Sequence, residues 1–142
     1  MAWLEELAEE EPPEPEKPIG KVVIGNLEPD MHVAAKELVR RALKAAGFKT
    51  IDLGVGVPAG DFAKRAKEAN ANVIAVSINT NMALDNLQSL ASAIDAEGLK
   101  GKIILMLGGS VVKKEDADAI GALYGRNKTE AVELVIQCLG QK

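Results

Sequence analysis

Cysteine, histidine and aromatic residues are nearly missing from this chain of 142 residues, which holds one Cys, one His, one Trp, one Tyr and two Phe. A lone cysteine, Cys138, excludes an internal disulfide and a zinc cluster built on cysteines. The shortage of aromatics means that the core has to be aliphatic. No apolar run reaches the roughly 20 residues that a membrane-spanning helix needs. The N-terminus is acidic and has no secretory apolar stretch, so the expectation is a cytoplasmic protein with no membrane contact. A net charge of −4 gives nonspecific nucleic-acid binding no electrostatic basis.

What is present is unevenly placed. Residues 1–19 hold seven Glu against one Lys, together with Pro12, Pro13, Pro15 and Pro18. This composition predicts an extended, solvated tail. Within it, Trp3, Leu4 and Leu7 would share one side of a short helix, either a frayed terminus or a docking element for a partner subunit. Residues 20–142 form the folded domain, of a size that can bury one core.

From residue 19 onward, apolar β-branched runs alternate with stripes of helical period. Residues 21–25, 50–53, 72–77 and 102–107 read as buried strands, and 122–124 as a weak fifth. Helices are predicted over 34–46, 59–69, about 84–94, 113–120 and from 128 onward. The first carries Ala35, Leu38, Val39, Ala42, Leu43 and Ala46 on one face and stops at Gly47. Asn127 and Glu130 resemble a capping box for the last. Alternation of this kind predicts an α/β fold: a five-stranded parallel sheet with helices on both faces, flavodoxin-like (Rossmann-like), in the order 2-1-3-4-5. Such sheets take ligands beyond the carboxyl ends of the strands, where the strand order reverses.

Four segments should therefore converge there: residues 26–32, 77–80, 108–110 and 124–126. They lack the usual equipment of such sheets. There is no G-x-G-x-x-G after the first strand, and Gly54 and Gly56 after the second lack a third glycine. Glu28 and Asp30 would repel a phosphate. Ser77 stands where the phosphoacceptor aspartate of a receiver domain would be.

What remains is the only histidine, His32, two residues after Asp30. Imidazole is a good transition-metal ligand, and a ligating histidine usually donates its other N–H to a carboxylate. Asp30 is placed for that, and Ser77 could extend the relay. An isolated Asp-x-His would more often be a surface histidine beside a helix cap. The matching loops, with Ser77 and with Gly108 and Gly109, favour a site. With no second His or Cys nearby, one protein ligand suffices only for a metal that arrives in a macrocycle, which points to a tetrapyrrole-type cofactor.

These segments resemble the cobalamin-binding domain family, whose signature is D-x-H-x-x-G, S-x-L and G-G. Here the segments read Asp30, His32 and Ala35; Ser77 and Asn79; and Gly108 and Gly109. Residues 20–25 and 47–58 resemble the flanking strands of that family, and the likeness spans about residues 19–139. Ala35 replaces the family's glycine and Asn79 its usual leucine. The resemblance implies that His32 displaces the nucleotide base from cobalt as lower ligand. It makes Asp30 and Ser77 the relay, and Gly108 and Gly109 the wall of a tunnel for the displaced tail. Met31, Val33, Thr80, Tyr124 and Gly125, on the same loops, complete the expected cofactor contacts. The implied cofactor is methylcobalamin or adenosylcobalamin. The implied role is a methyl carrier for corrinoid-dependent methyltransferases. The alternatives are the small subunit of an adenosylcobalamin-dependent mutase and a degenerate interaction module. The expected partner is the methyltransferase or mutase catalytic subunit, since the domain would have no substrate pocket of its own.

Overall fold

In a computed structural model, residues 11–140 are described. Five strands alternate with helices: β1 (Lys21–Leu27), α1 (Val33–Ala45), β2 (Lys49–Val57), α2 (Ala59–Ala69), β3 (Val73–Ser77), α3 (Asn81–Leu84), α4 (Leu87–Ala96), β4 (Ile104–Gly108), α5 (Lys114–Ala119), β5 (Leu123–Tyr124) and α6 (Lys128–Gly140). All pairings are parallel and the order is β2-β1-β3-β4-β5. This is the expected topology, with its reversal between β1 and β3.

Alternation along the strands builds two cores. Val23, Ile74, Val76, Leu105 and Leu107 face one side, under α2 to α5, where they meet Phe62, Ala66, Leu90 and Ile94. Val22, Ile24, Val73, Ala75 and Met106 face the other, under α1 and α6, with Leu43, Phe48, Ala131 and Val135. Strands buried on both faces show no polar alternation, hence their continuous apolar runs. The interior is mostly aliphatic, but both phenylalanines are fully buried in it. Among the described residues, no helix is long and apolar enough to cross a membrane.

Three expected boundaries shift, each for a local reason. β1 runs two residues further than its apolar stretch, because Asn26 pairs with Ser77 across the sheet and Leu27 pairs with Val57. β2 runs to Val57 instead of ending at Leu53. Gly54 (φ +94°) and Gly56 (φ +61°) absorb two register shifts there without ending the strand. The third helix is broken in two, and the buried Ala83 and Leu87 anchor its pieces α3 and α4.

The tail departs further from expectation. Residues 1–10, with Trp3, Leu4 and Leu7, lie outside the described residues. Residues 11–19 are irregular but not free in solvent. The Glu11 carboxylate accepts hydrogen bonds from Arg40 at 2.7 and 2.8 Å and from Lys44 at 2.8 Å, and Glu14 pairs with Lys44 at 3.1 Å. Below them, Arg40 also bonds Glu37. Lys36, almost fully buried, donates to both oxygens of Asp52 on β2. The polar side of α1 is thus a ladder of ion pairs joining the tail, the helix and the edge strand.

That ladder has an acid signature. Hydrogen bonding to Arg40 is the main cause that holds Glu11 at about 2 and Glu37 at about 2, against 4.5 for a free glutamate. A carboxyl with a depressed pKa contributes its full stability above the unfolded value and loses it as pH falls through the folded value. The melting temperature should therefore drop between pH 4.5 and about 2. Glu37→Gln should flatten that drop, while starting from a lower melting temperature at neutral pH. Thermal melts of both proteins across the interval check this, and parallel curves would contradict it.

Candidate functional site

Strand register brings the expected loops together. Asn26 pairs with Ser77, Ser77 with Gly108, and Leu107 with Tyr124, so the ends of β1, β3, β4 and β5 form one row. At the head of that row lies Asp30, with none of its surface exposed. Its Oδ1 is 2.6 Å from His32 Nδ1 and accepts the His32 backbone N–H at 3.1 Å. Its Oδ2 accepts from Asn26 Nδ2 at 3.1 Å, and from the backbone N–H and Nδ2 of Asn79 at 2.8 and 2.9 Å. Burial, the largest influence, pushes this carboxyl up. The bonds from His32, Asn79 and Asn26 together outweigh it and hold the pKa below the ordinary aspartate value.

Two features of this arrangement were not legible in the sequence pattern. Asn26 is fully buried; its Nδ2 also donates to the His32 carbonyl at 2.9 Å, and its Oδ1 has no partner among the described residues. A polar residue ending an apolar strand was its only signal. The second is the route to Ser77. Its hydroxyl is reached through Asn79 Nδ2 at 3.0 Å, and Asp30 contacts Asn79. The relay expected from Asp30 to Ser77 therefore has an amide between them.

Asp30 is not the helix cap. His32 occupies the N-cap position of α1, and Asp30 grips it by ring and backbone together. With the Nδ1 proton directed at Asp30, a tautomer assigned from these contacts, Nε2 carries the free lone pair. The His32 side chain is 64% exposed. Met31 and Val33 beside it are exposed as well, as is Met82 in α3, the short helix after β3. Exposed apolar residues thus flank the accessible imidazole along the chain. The loop itself is latched down: Gly56 N–H donates to Asp30 O, Glu28 N–H to Val57 O, and Asn86 Nδ2 to Glu28 O. Among the described residues, no three His, Cys, Asp or Glu side chains come together as a metal cage.

Beside this pair a cleft of about 540 Å³ opens between α1 and α6, over the ends of β3, β4 and β5. Ala35, Leu38 and Val39 line one wall, which is why the apolar stripe of α1 is only half-buried there. Ser77, Asn79, Gly108, Gly109, Tyr124 and Gly125 line the rest with others. Asp30, Met31, His32, Val33 and Thr80 do not line it. Thr80 instead caps α3, its Oγ1 accepting from Ala83 N–H.

An α/β domain that offers one fixed imidazole beside a cleft at its strand reversal is the class that fold and site define. A family model described as the B12 binding domain matches residues 20–135, and the chain belongs to that family. It is 37% identical over 120 residues to trimethylamine corrinoid protein 1 of Methanosarcina mazei, covering 84% of this chain and 56% of that protein. The structure of a cobalamin-binding protein from Desulfitobacterium hafniense superimposes with a TM-score of 0.79 at 29% identity, covering 84% of this chain and 58% of that one. The methanol:cobalamin methyltransferase complex of Methanosarcina barkeri shares the fold, with a TM-score of 0.81 at 21% identity, covering 87% and 47%. The chain thus spans about half the length of the curated relatives it matches.

The two glycines at the end of β4 differ in what they do. Gly109 has φ +121°, and a Cβ there would lie 2.0 Å from the Ile78 carbonyl oxygen. At Gly108 a Cβ would meet only the Gly125 carbonyl oxygen, at 3.3 Å. Gly109→Ala should therefore cost at least about 2 kcal/mol of stability, and Gly108→Ala less than about 1.5 kcal/mol. Denaturant melts of the two variants check this, and equal losses would contradict it.

Proposed function

We propose that this chain holds a corrinoid with its nucleotide base displaced, offers His32 Nε2 as the lower ligand to cobalt, and serves as a methyl carrier to a methyltransferase. The observation that carries this reading is the His32–Asp30 pair at the strand reversal, exposed on the ligand side and locked on the other. Macrocyclic cobalt needs one protein ligand, and one is offered. The exposed Met31, Val33 and Met82 suit the broad face of a corrin. The cleft beside them, with Ala35, Gly108 and Gly125 in its walls, suits a tail that must approach backbone closely. The family membership and the corrinoid relative support the cofactor, and the fold shared with a methyltransferase complex supports the partner.

Bound cobalt would supply reversible methyl transfer; the protein's share is to tune and present it. Asp30, kept ionised by its donors, holds the Nδ1 proton of His32 and thereby fixes the ring and raises the donor strength of Nε2. Asn26 fixes both partners, through Asp30 Oδ2 and the His32 carbonyl. Ser77, held by Asn79, stands behind them. The methylamine corrinoid relative favours a carrier over a mutase subunit.

Purification from a host fed corrinoid should give a coloured protein whose cobalt carries a methyl upper ligand. An adenosyl ligand would contradict the carrier reading, and a colourless protein would contradict corrinoid binding. Asp30→Asn should weaken binding of hydroxocobalamin by roughly 10–100-fold, the usual loss for a partner behind a metal ligand. Wild-type affinity in that variant would show that Asp30 holds the loop and not the ligand.

A further inference from the structure

We propose that Asn79 is a positioning residue that couples His32 to the occupancy of the cleft; this rests on the corrinoid reading above and deepens it. The resemblance to the family gives no role to this position beyond an apolar side chain. In this chain the residue is the junction of three loops. Its Nδ2 donates to Asp30 Oδ2 at 2.9 Å and to Ser77 Oγ at 3.0 Å. Its Oδ1 accepts the backbone N–H of Ser110 at 2.9 Å. Its own N–H donates to Asp30 Oδ2 at 2.8 Å.

The amide has one workable orientation. Turned over, it would set its oxygen against the Asp30 carboxylate and its NH₂ against the Ser110 N–H, two repulsive contacts in place of two bonds. Asn79 is therefore pinned between the carboxylate that grips His32 and the Gly108–Ser110 loop that walls the cleft. That loop is stiff where it meets Asn79. Ile78 N–H donates to Gly108 O at 2.9 Å, and Gly109 is packed so close to Ile78 that no Cβ fits. A nucleotide tail seated against Gly108 and Ser110 bears on Asn79 Oδ1, and a shift there is passed rigidly to Asp30 Oδ2. Coupling of this kind is reciprocal: tail occupancy favours the Asp30 geometry that orients His32, and histidine ligation favours the occupied cleft. Leucine fills a similar volume but would leave only the backbone N–H on Asp30 and no link to Ser110.

The test compares cobalamin with cobinamide, which lacks the nucleotide tail, in wild type, Asn79→Leu, Asn79→Ala and His32→Ala. The readout is the fraction of Co(II) that shows the ¹⁵N doublet by electron paramagnetic resonance in protein labelled with ¹⁵N-histidine, which separates His32 from the corrinoid's own base, alongside the dissociation constants. Apo-protein circular dichroism confirms folding, and the alanine variant serves if the leucine variant does not fold. Wild type should show a larger histidine-bound fraction with cobalamin than with cobinamide. In the Asn79 variants that advantage should collapse, and cobalamin affinity should fall by about tenfold, the lower end of such losses. A folded Asn79 variant that keeps the wild-type advantage would overturn the proposal. So would an equal loss with both corrinoids, which would leave Asn79 uncoupled from the cleft. Nitrogen splitting that survives in His32→Ala loaded with cobinamide, which carries no base of its own, would instead overturn the ligand reading itself; its loss there, together with Asn79 variants that keep the wild-type advantage, would overturn the coupling alone.

Discussion

A carboxylate with no surface in water stands at the centre of this site, and the loops around it are arranged to keep it charged. Taking such a group from water costs several kcal/mol unless donors replace its hydration. Asp30 receives N–H groups from Asn26, from Asn79 twice and from the His32 backbone, with the His32 ring beside it. Those donors come from the end of β1, the loop after β3 and the start of α1. Satisfying one anion therefore sets three segments relative to one another, and the orientation of the imidazole follows. Among the described residues, the Oδ1 of Asn26 is a buried polar atom in this arrangement that has no hydrogen-bond partner.

The cleft follows from the other half of the design, the shortage of large side chains. Ala35 on α1, Ala75 on β3, Gly108 on β4, and Gly125 and Ala131 toward α6 line a space that bulkier residues would fill. Packing normally closes such gaps, because interiors are dense. Here the stripe of α1 stays half-buried over it. Along the polar side of the same helix, Lys36, Arg40 and Lys44 hold the edge strand and the acidic tail by ion pairs. α1 is thus anchored along its polar side and left open along part of its apolar side.

Most of the fold could be read directly. The apolar runs, the helical stripes and the stop at Gly47 mark the elements, and the crossover rule orders the sheet. The errors lie where tertiary contacts override a local signal: Gly54 and Gly56 bend β2 without ending it, and Glu11 is held to α1 although its segment reads as linker. His32, Asp30 and the glycine pair were visible because their types and spacing carry chemistry. Asn26 and the bridging role of Asn79 were not, since an asparagine's partners depend on which loops the fold brings near it. The capping box at α6 was half right. Asn127 Oδ1 accepts the Glu130 N–H, while the Glu130 carboxylate turns to the Arg126 backbone and guanidinium.

The central claim is that one imidazole of this chain ligates cobalt, and the sequence offers an unusually clean test, because His32 is its only histidine. Protein grown with ¹⁵N-histidine and loaded with Co(II) cobalamin carries the label at that residue alone. Electron paramagnetic resonance should then show each cobalt line split into a doublet by ¹⁵N, where unlabelled protein gives a triplet from ¹⁴N. An unchanged triplet in the labelled protein would mean that the lower ligand is the corrinoid's own base, and would contradict the account.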